Sequence, residues 1–254
     1  MASLLEPVER LLRGVGHHAL ELLFPPLCAA CGKDVEPDGA STRLCCCCLA
    51  ELSLINSPAC LRCSAPLPTS DGVALDCPIC NKERFSFDAT VAAGWYQGLL
   101  RDLILRAKTD RTAVVAHALA ELLVEPFADF LGERTIDVAT PAPMHRRRQW
   151  QRGVHATSLI CNALAGCFAL RRQGRLLKEG RHTPPPIALS RVGRVRNVRA
   201  TMAVGRAANL RDRTVLLVDD VMTTAATSSE AARVLKKAGA REVVVAVVAR
   251  TKDR

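Results

Sequence analysis

The chain has 254 residues, 49% of them apolar and 24% charged, with a formal net charge of +10. This suffices for one medium-sized domain with a sizeable core plus a small appendage. No uninterrupted apolar run approaches bilayer length, which excludes a membrane-spanning helix. With only nine aromatic residues, a stacking platform for single-stranded nucleic acid finds little support, Trp150 in RRRQWQRG being the one aromatic well placed for it.

The stretch LLEPVERLLRGVGHHALELLFPP has apolar residues at helical spacing broken by charges. It predicts an N-terminal helix over 1–24 that packs on the protein and ends at Pro25-Pro26. Cysteines follow at once. Of twelve in the chain, ten fall between residues 28 and 80. Four C-x2-C pairs stand out: Cys28/Cys31, Cys45/Cys48, Cys60/Cys63 and Cys77/Cys80. The second two pairs repeat the first two with a shift of 32 residues at every position, the mark of a duplicated small module.

Each half offers four thiolates at the spacing of a zinc ribbon, where two knuckles hold one tetrahedral Zn²⁺. So short a segment buries too little apolar surface to fold alone, and the metal supplies the missing folding energy. Redox C-x-x-C chemistry, which would not need four pairs at a repeated spacing, and disulfides are the competing readings of these cysteines. Disulfides need an oxidising compartment, whereas no secretory signal is seen, and a cytoplasmic location is expected. The spacing allows a sequential pairing (28/31 with 45/48, 60/63 with 77/80) or a crossed one, the sequential being simpler. Cys46 and Cys47 are taken as bystanders. Cys161 and Cys167, in an apolar helical stretch, are taken as buried small hydrophobes. A double zinc ribbon over 25–85 is therefore expected, with two structural Zn²⁺. Eight thiolates and two Zn²⁺ change the formal charge by −4, to about +6.

From residue 86 the pattern turns α/β. Residues 89–97 read as a strand, 98–108 as an amphipathic helix with a basic end, and 113–131 as one strongly helical run. Ile136–Ala139 reads as a short strand, and Thr140-Pro141-Ala142-Pro143 as a breaker opening a loop. A helix is expected over 154–170 and a loop over 180–200. Strands at 201–204, 214–219 and 242–249 complete a mostly parallel sheet with flanking helices, giving a domain over 86–254. Positive charge gathers at His145-Arg146-Arg147-Arg148 with Arg152, and at Arg191, Arg194, Arg196 and Arg199. Such runs suit an anionic ligand, pyrophosphate or a nucleic-acid backbone, or else form a solvated basic surface.

The densest signal is TVLLVDDVMTTAAT over 214–227. Val215–Val218 is aliphatic throughout, as in a strand buried on both faces. It ends at Asp219-Asp220, the carboxyl edge, where open α/β sheets bind ligands. Small residues follow to Thr227, then the helix SSEAARVLKKAGA, stopping at Gly239. Amides at such a turn and helix start can cradle a phosphate, and the carboxylates can accept hydrogen bonds from sugar hydroxyls. That combination suits a ribose 5-phosphate better than a dinucleotide, whose Gly-x-Gly-x-x-Gly turn is absent. The alternative is an ordinary turn with two solvated carboxylates.

VLLVDDVMTTAAT resembles the 5-phosphoribosyl 1-pyrophosphate (PRPP) motif of type I phosphoribosyltransferases. With the cysteine modules, Lys108, Pro141–His145, Arg152-Gly153, Arg181-x-Thr183, Leu189 and Arg194-x-x-Asn197-Val198, residues 24–250 resemble the ComF family, a double zinc ribbon fused to a phosphoribosyltransferase-type domain. The resemblance implies Asp219 and Asp220 as the catalytic pair on the ribose hydroxyls. It implies that Val221, Met222, Thr223, Thr224, Ala225, Ala226 and Thr227 form the phosphate-binding loop. Arg146, Arg147 and Arg148 would offset pyrophosphate charge, and Mg²⁺ would accompany PRPP. It further implies phosphoribosyl transfer, or PRPP binding without turnover, in a protein linked to competence, with single-stranded DNA and the DNA-uptake machinery as partners. A glutamine amidotransferase is not expected, since position 2 is Ala and the N-terminal cysteines read as zinc ligands. The chain departs from the family at Ala225, where Gly is usual, at Pro186 (Gln), and at Val154-His155 (Phe-Asn). The last two fall on the second-substrate side and leave the acceptor open.

Overall fold

The two longest aliphatic runs of the chain lie side by side at the centre of one sheet. The computed structural model describes residues 27–35, 43–56, 58–70, 73–132, 134–143, 155–179, 202–205 and 209–252. Its strands, in chain order, are β1 (Thr69–Ser70), β2 (Val73–Ala74), β3 (Ala89–Trp95), β4 (Val138–Pro141), β5 (Leu177–Glu179), β6 (Met202–Val204), β7 (Thr214–Met222) and β8 (Glu242–Arg250). The helices are α1 (Cys46–Glu51), α2 (Gly98–Ala107), α3 (Val114–Glu121), α4 (Val124–Leu131), α5 (Ala156–Cys167) and α6 (Ala226–Lys237). The main sheet has the order β3-β8-β7-β4, and every pairing in it is parallel.

Parallel strands covered on both faces need apolar residues at every position. In β8, EVVVAVVAR, every residue after Glu242 is buried. Its side chains alternate between two cores. Val244, Ala246 and Val248, with Leu216 and Val218 of β7, face α2 to α5 through Leu103, Leu119, Phe127 and Leu164. Val243, Val245 and Val247, with Val215 and Leu217, face α6 through Ala231, Ala232 and Leu235.

The two cysteine modules straddle the edge strand β3, one feeding each core. The first contributes Cys28, Leu44, Cys48 and Leu52 to the α2–α5 side, and the second contributes Cys63, Ala65 and Cys77 to the α6 side. Their linker closes the edge: Trp95 N donates to Ser53 O (2.7 Å) and Ile55 N to Ala93 O (3.0 Å). This disposes of the unpaired edge that an open sheet otherwise presents. Gly94 makes the approach possible, because a Cβ there would lie 2.7 Å from Ser53 O.

Several expectations need correction. The helical run over 113–131 is two helices broken at Leu122-Leu123. Pro126 explains the break, since its ring clashes with the carbonyl four residues back and it fits only in a first turn. Thr140 and Pro141 belong to β4 rather than to a loop; Pro is tolerated there because β4 ends the main sheet. The strand near 201–204 does not join that sheet but pairs antiparallel with β5, itself unforeseen. Helix α6 begins at Ala226, two residues before Ser228. Cys161 is buried as expected, but Cys167 is exposed. The expected helix over 1–24 and the loop over 180–200 lie outside the described residues.

Candidate functional site

The cysteines meet in the sequential pairing. Cys28, Cys31, Cys45 and Cys48 form one tetrad and Cys60, Cys63, Cys77 and Cys80 the other, with all sulfurs of each within 4.8 Å of one another. Closest approaches are 3.8 Å for Cys31–Cys45, 3.6 Å for Cys63–Cys77 and 3.8 Å for Cys60–Cys80. A tetrahedron with Zn–S bonds of about 2.3 Å has sulfur edges of about 3.8 Å, so both tetrads have the dimensions of a Zn(Cys)₄ centre. No cysteine is in a disulfide among the described residues. Cys46 and Cys47, on the exposed side of α1, belong to neither tetrad.

The knuckle backbone favours a thiolate at Cys28. Burial opposes charge on Cys28, yet amide hydrogen bonds from Cys31, Cys45 and Ala30 bring its thiol down to about 6. In the second tetrad, burial pushes Cys63 up to about 11, a cost that a bound cation removes. The tetrads differ in access. Each has two buried cysteines, but the first has an exposed ligand, Cys31, where the remaining pair of the second, Cys60 and Cys80, is half-buried.

The second site lies at the carboxyl end of β7. Asp219 and Asp220 are half-buried there, still within the strand, with Asp219 beside Val247 of β8. Asp220 N donates to Asp219 Oδ1 (2.9 Å) and Val221 N to Asp220 Oδ1 (2.8 Å). Lys108, at the end of α2, places Nζ 2.9 Å from Asp220 Oδ2. Burial, and then the neighbouring Asp220 carboxylate, push the Asp219 carboxyl well above the usual carboxylate range. The result is two adjacent carboxylates of unequal character, one paired with an ammonium and the other strained by its own charge.

The turn after β7 brings Thr223, Thr224, Ala225, Ala226 and Thr227 next to that pair. Thr223 and Thr227 are exposed and Thr224 half-buried, while Met222 is buried and Val221 packs against the core, so these two present backbone rather than side chain. Ala225 adopts φ +56°, ψ +4°, the left-handed conformation that costs an L-residue roughly 1–2 kcal/mol. It is the N-cap of α6, whose first-turn amides have no intrahelical acceptor.

Two further residues at this edge were not assigned a role by sequence. His155 caps α5, its Nδ1 accepting from Ser158 N at 2.9 Å. That bond leaves Nε2 to carry the proton of the neutral ring, making His155 a donor rather than a base. Burial holds its pKa below the ordinary value despite the attraction of Asp220. Arg250, buried at the end of β8, sends NH1 to Met222 Sδ (3.1 Å). A charged residue closing a run of apolar ones was the available signal for it. Arg146, Arg147 and Arg148, and the basic run over 191–199, lie outside the described residues.

The chain matches the double zinc ribbon domain over residues 19–82 and the phosphoribosyl transferase domain over residues 175–254. It is 29% identical over 197 residues to Competence protein F of Haemophilus influenzae, covering 76% of this chain and 85% of that one. It is 28% identical over 197 residues to DNA utilization protein YhgH of Escherichia coli, covering 76% and 84%. A shorter stretch of 96 residues is 33% identical to an adenine phosphoribosyltransferase of Mycobacterium marinum, covering 36% of this chain and 48% of that one. Both parts, the cysteine tetrads and the parallel sheet, are thus accounted for, and the chain matches the two-part description of the ComF family, a double zinc ribbon joined to a phosphoribosyltransferase-type domain.

Proposed function

We propose that the carboxyl end of β7 binds PRPP together with Mg²⁺, and that the protein transfers the phosphoribosyl group to an acceptor. The observation that carries this reading is the adjacency of Asp219-Asp220, the hydroxyl-bearing turn and the start of α6. The carboxylates would accept hydrogen bonds from vicinal ribose hydroxyls, and the turn amides and threonine hydroxyls would take the 5′-phosphate. Departure of pyrophosphate from C1 leaves positive charge on the ribose ring, which the acid pair stabilises by its negative potential. Mg²⁺, a hard cation suited to phosphate and hydroxyl oxygens, would offset the charge of the leaving group while taking few direct protein ligands. The relatives named for competence and DNA utilization support a link between this activity and competence or DNA use. The free cysteines suit a reducing compartment, and we place the protein in the cytoplasm. No helix among the described residues is long and apolar enough to cross a membrane.

Calorimetric titration of PRPP with Mg²⁺ into wild type and Asp219→Asn/Asp220→Asn tests the reading, with zinc content measured on the same samples. Binding by wild type that the variant loses is expected. A zinc-loaded, folded wild type that binds no PRPP would overturn it.

A second reading, PRPP binding without turnover in a protein that handles single-stranded DNA, draws on the relatives named for competence and DNA utilization and on the basic balance of the chain. Affinity for single-stranded DNA should then fall steeply with salt and drop on charge removal at Arg146–Arg148. Salt-independent binding would exclude it.

A further inference from the structure

The first cysteine module touches the end of the helix that carries Lys108. Arg106, in the last turn of α2, donates from NH1 to Ala30 O (2.8 Å) and from NH2 to Ala29 O (2.9 Å). Both carbonyls belong to the Cys28–Cys31 knuckle. Within that module Cys45 N lies 3.3 Å from Cys28 Sγ and Gly32 N donates to Cys28 O, while the Ala29 and Ala30 carbonyls are the ones that accept from Arg106. A guanidinium spans two such acceptors with its planar fork, which a single ammonium does not. The chain beyond Arg106 is pinned as well. Thr109 N and Asp110 N donate to Arg106 O, and Asp110 Oδ2 accepts from Val115 N at the start of α3. Lys108 lies between these two anchors, its Nζ on Asp220.

We propose that the first cysteine module is a positioning element of the acid pair: its Ala29 and Ala30 carbonyls clamp Arg106, and the clamp sets the end of α2 so that Lys108 reaches Asp220. A lysine has four rotatable side-chain bonds, so a persistent pair with Asp220 requires its backbone to be held in place. The metal-bound knuckle is a rigid support for that purpose, because metal binding and folding of the module are one event. Arg106 thus acts through Lys108 rather than on a ligand. The consequence for ligand binding rests on the PRPP reading, but the clamp itself does not.

The test is acylation of surface lysines in the zinc-loaded full chain, followed by peptide mass spectrometry. Arg106→Leu should raise the labelling rate of Lys108 by about threefold to tenfold, the range that the net contribution of one ordinary hydrogen bond implies. Lys236, paired with Asp88 far from the clamp, should be unchanged, which separates release of Lys108 from general loosening. Asp220→Asn is the positive control. Arg106→Gln, which keeps one amide donor, should give an intermediate rate and stands in if Arg106→Leu does not fold. Unchanged Lys108 labelling in a variant with intact zinc overturns the proposal. In PRPP titrations, Arg106→Leu/Lys108→Met should bind no more weakly than Lys108→Met alone; additive losses also overturn it. A wild type that binds no PRPP defeats the functional reading and leaves labelling to decide the clamp.

Discussion

Asp219 should be a residue that weakens the fold. Its carboxylate is half-buried, stands next to Asp220, and is pushed upward by burial first and by that neighbour second. A carboxyl whose folded pKa exceeds its unfolded one carries no penalty below the ordinary carboxylate range. As pH rises toward the folded value, the penalty grows. Asp219→Asn removes the charge yet keeps an acceptor for Asp220 N, the hydrogen bond now made at 2.9 Å. The variant should therefore be more stable than wild type at pH 8 by about 1–2 kcal/mol, the usual return for relieving a functional site. In a chain of this length that corresponds to roughly 2–8 °C in Tm. The gap should narrow as pH falls toward 5.5. Asp220→Asn should gain less, because it strands Lys108, whose partner it removes. Scanning calorimetry of zinc-loaded samples at several pH values measures this, with PRPP titration on the same preparations. A destabilised Asp219→Asn with full zinc, or a gap that widens toward low pH, would refute the reasoning.

Other expectations follow from the same geometry. Ala225→Gly relieves a left-handed alanine (roughly 1–2 kcal/mol) but gives up a buried methyl (about 0.8 kcal/mol) and adds unfolded-state freedom (roughly 0.5–1 kcal/mol). Stability should change by less than about 1 kcal/mol while PRPP affinity rises, since glycine lets the backbone approach a phosphate more closely; weaker PRPP binding would count against this. Chelation at neutral pH should release zinc in two steps, the first from the tetrad with exposed Cys31 and the second from the tetrad without an exposed ligand. A chromophoric zinc indicator reads the two phases, and a single phase contradicts the assignment. His155 has its pKa lowered by burial, so the stability it contributes is complete above about pH 6.5 and declines as pH falls toward its folded value. Relative to His155→Asn, which preserves an N-cap acceptor, wild type should lose about 1 kcal/mol on acidification to pH 5.5; parallel stability curves for the two proteins would show that the cap bond does not titrate.

The chain's own pattern was enough for the existence of the strand that carries Asp219, the helix after it and the cysteine modules, although the strand runs on to Met222 rather than ending at Asp219. Each of these is a local signal: an aliphatic run, a helical period, or a repeat of C-x2-C pairs. Helix boundaries were less legible, because Pro126 reads equally well as the inside of one helix or the first turn of another. Thr140-Pro141 looked like a breaker because the place of β4 at the end of the sheet is not written in its own four residues. The strand at 202–204 was legible, but its partner β5 was missed for the same reason, since that short segment of ordinary composition becomes a strand only by pairing with β6.

What the sequence determined alone, then, is the chemistry available: thiols at metal-ligand spacing, two adjacent carboxylates, and a hydroxyl-bearing turn. Only the tertiary structure decided which of these meet. The order β3-β8-β7-β4 brings the end of α2 to the end of β7 and so sets Lys108 on Asp220. It also leaves β3 as an edge, which the two cysteine modules cover from both sides. Strand order depends on how whole elements pack their faces, and side-chain periodicity within one element carries no record of its neighbour.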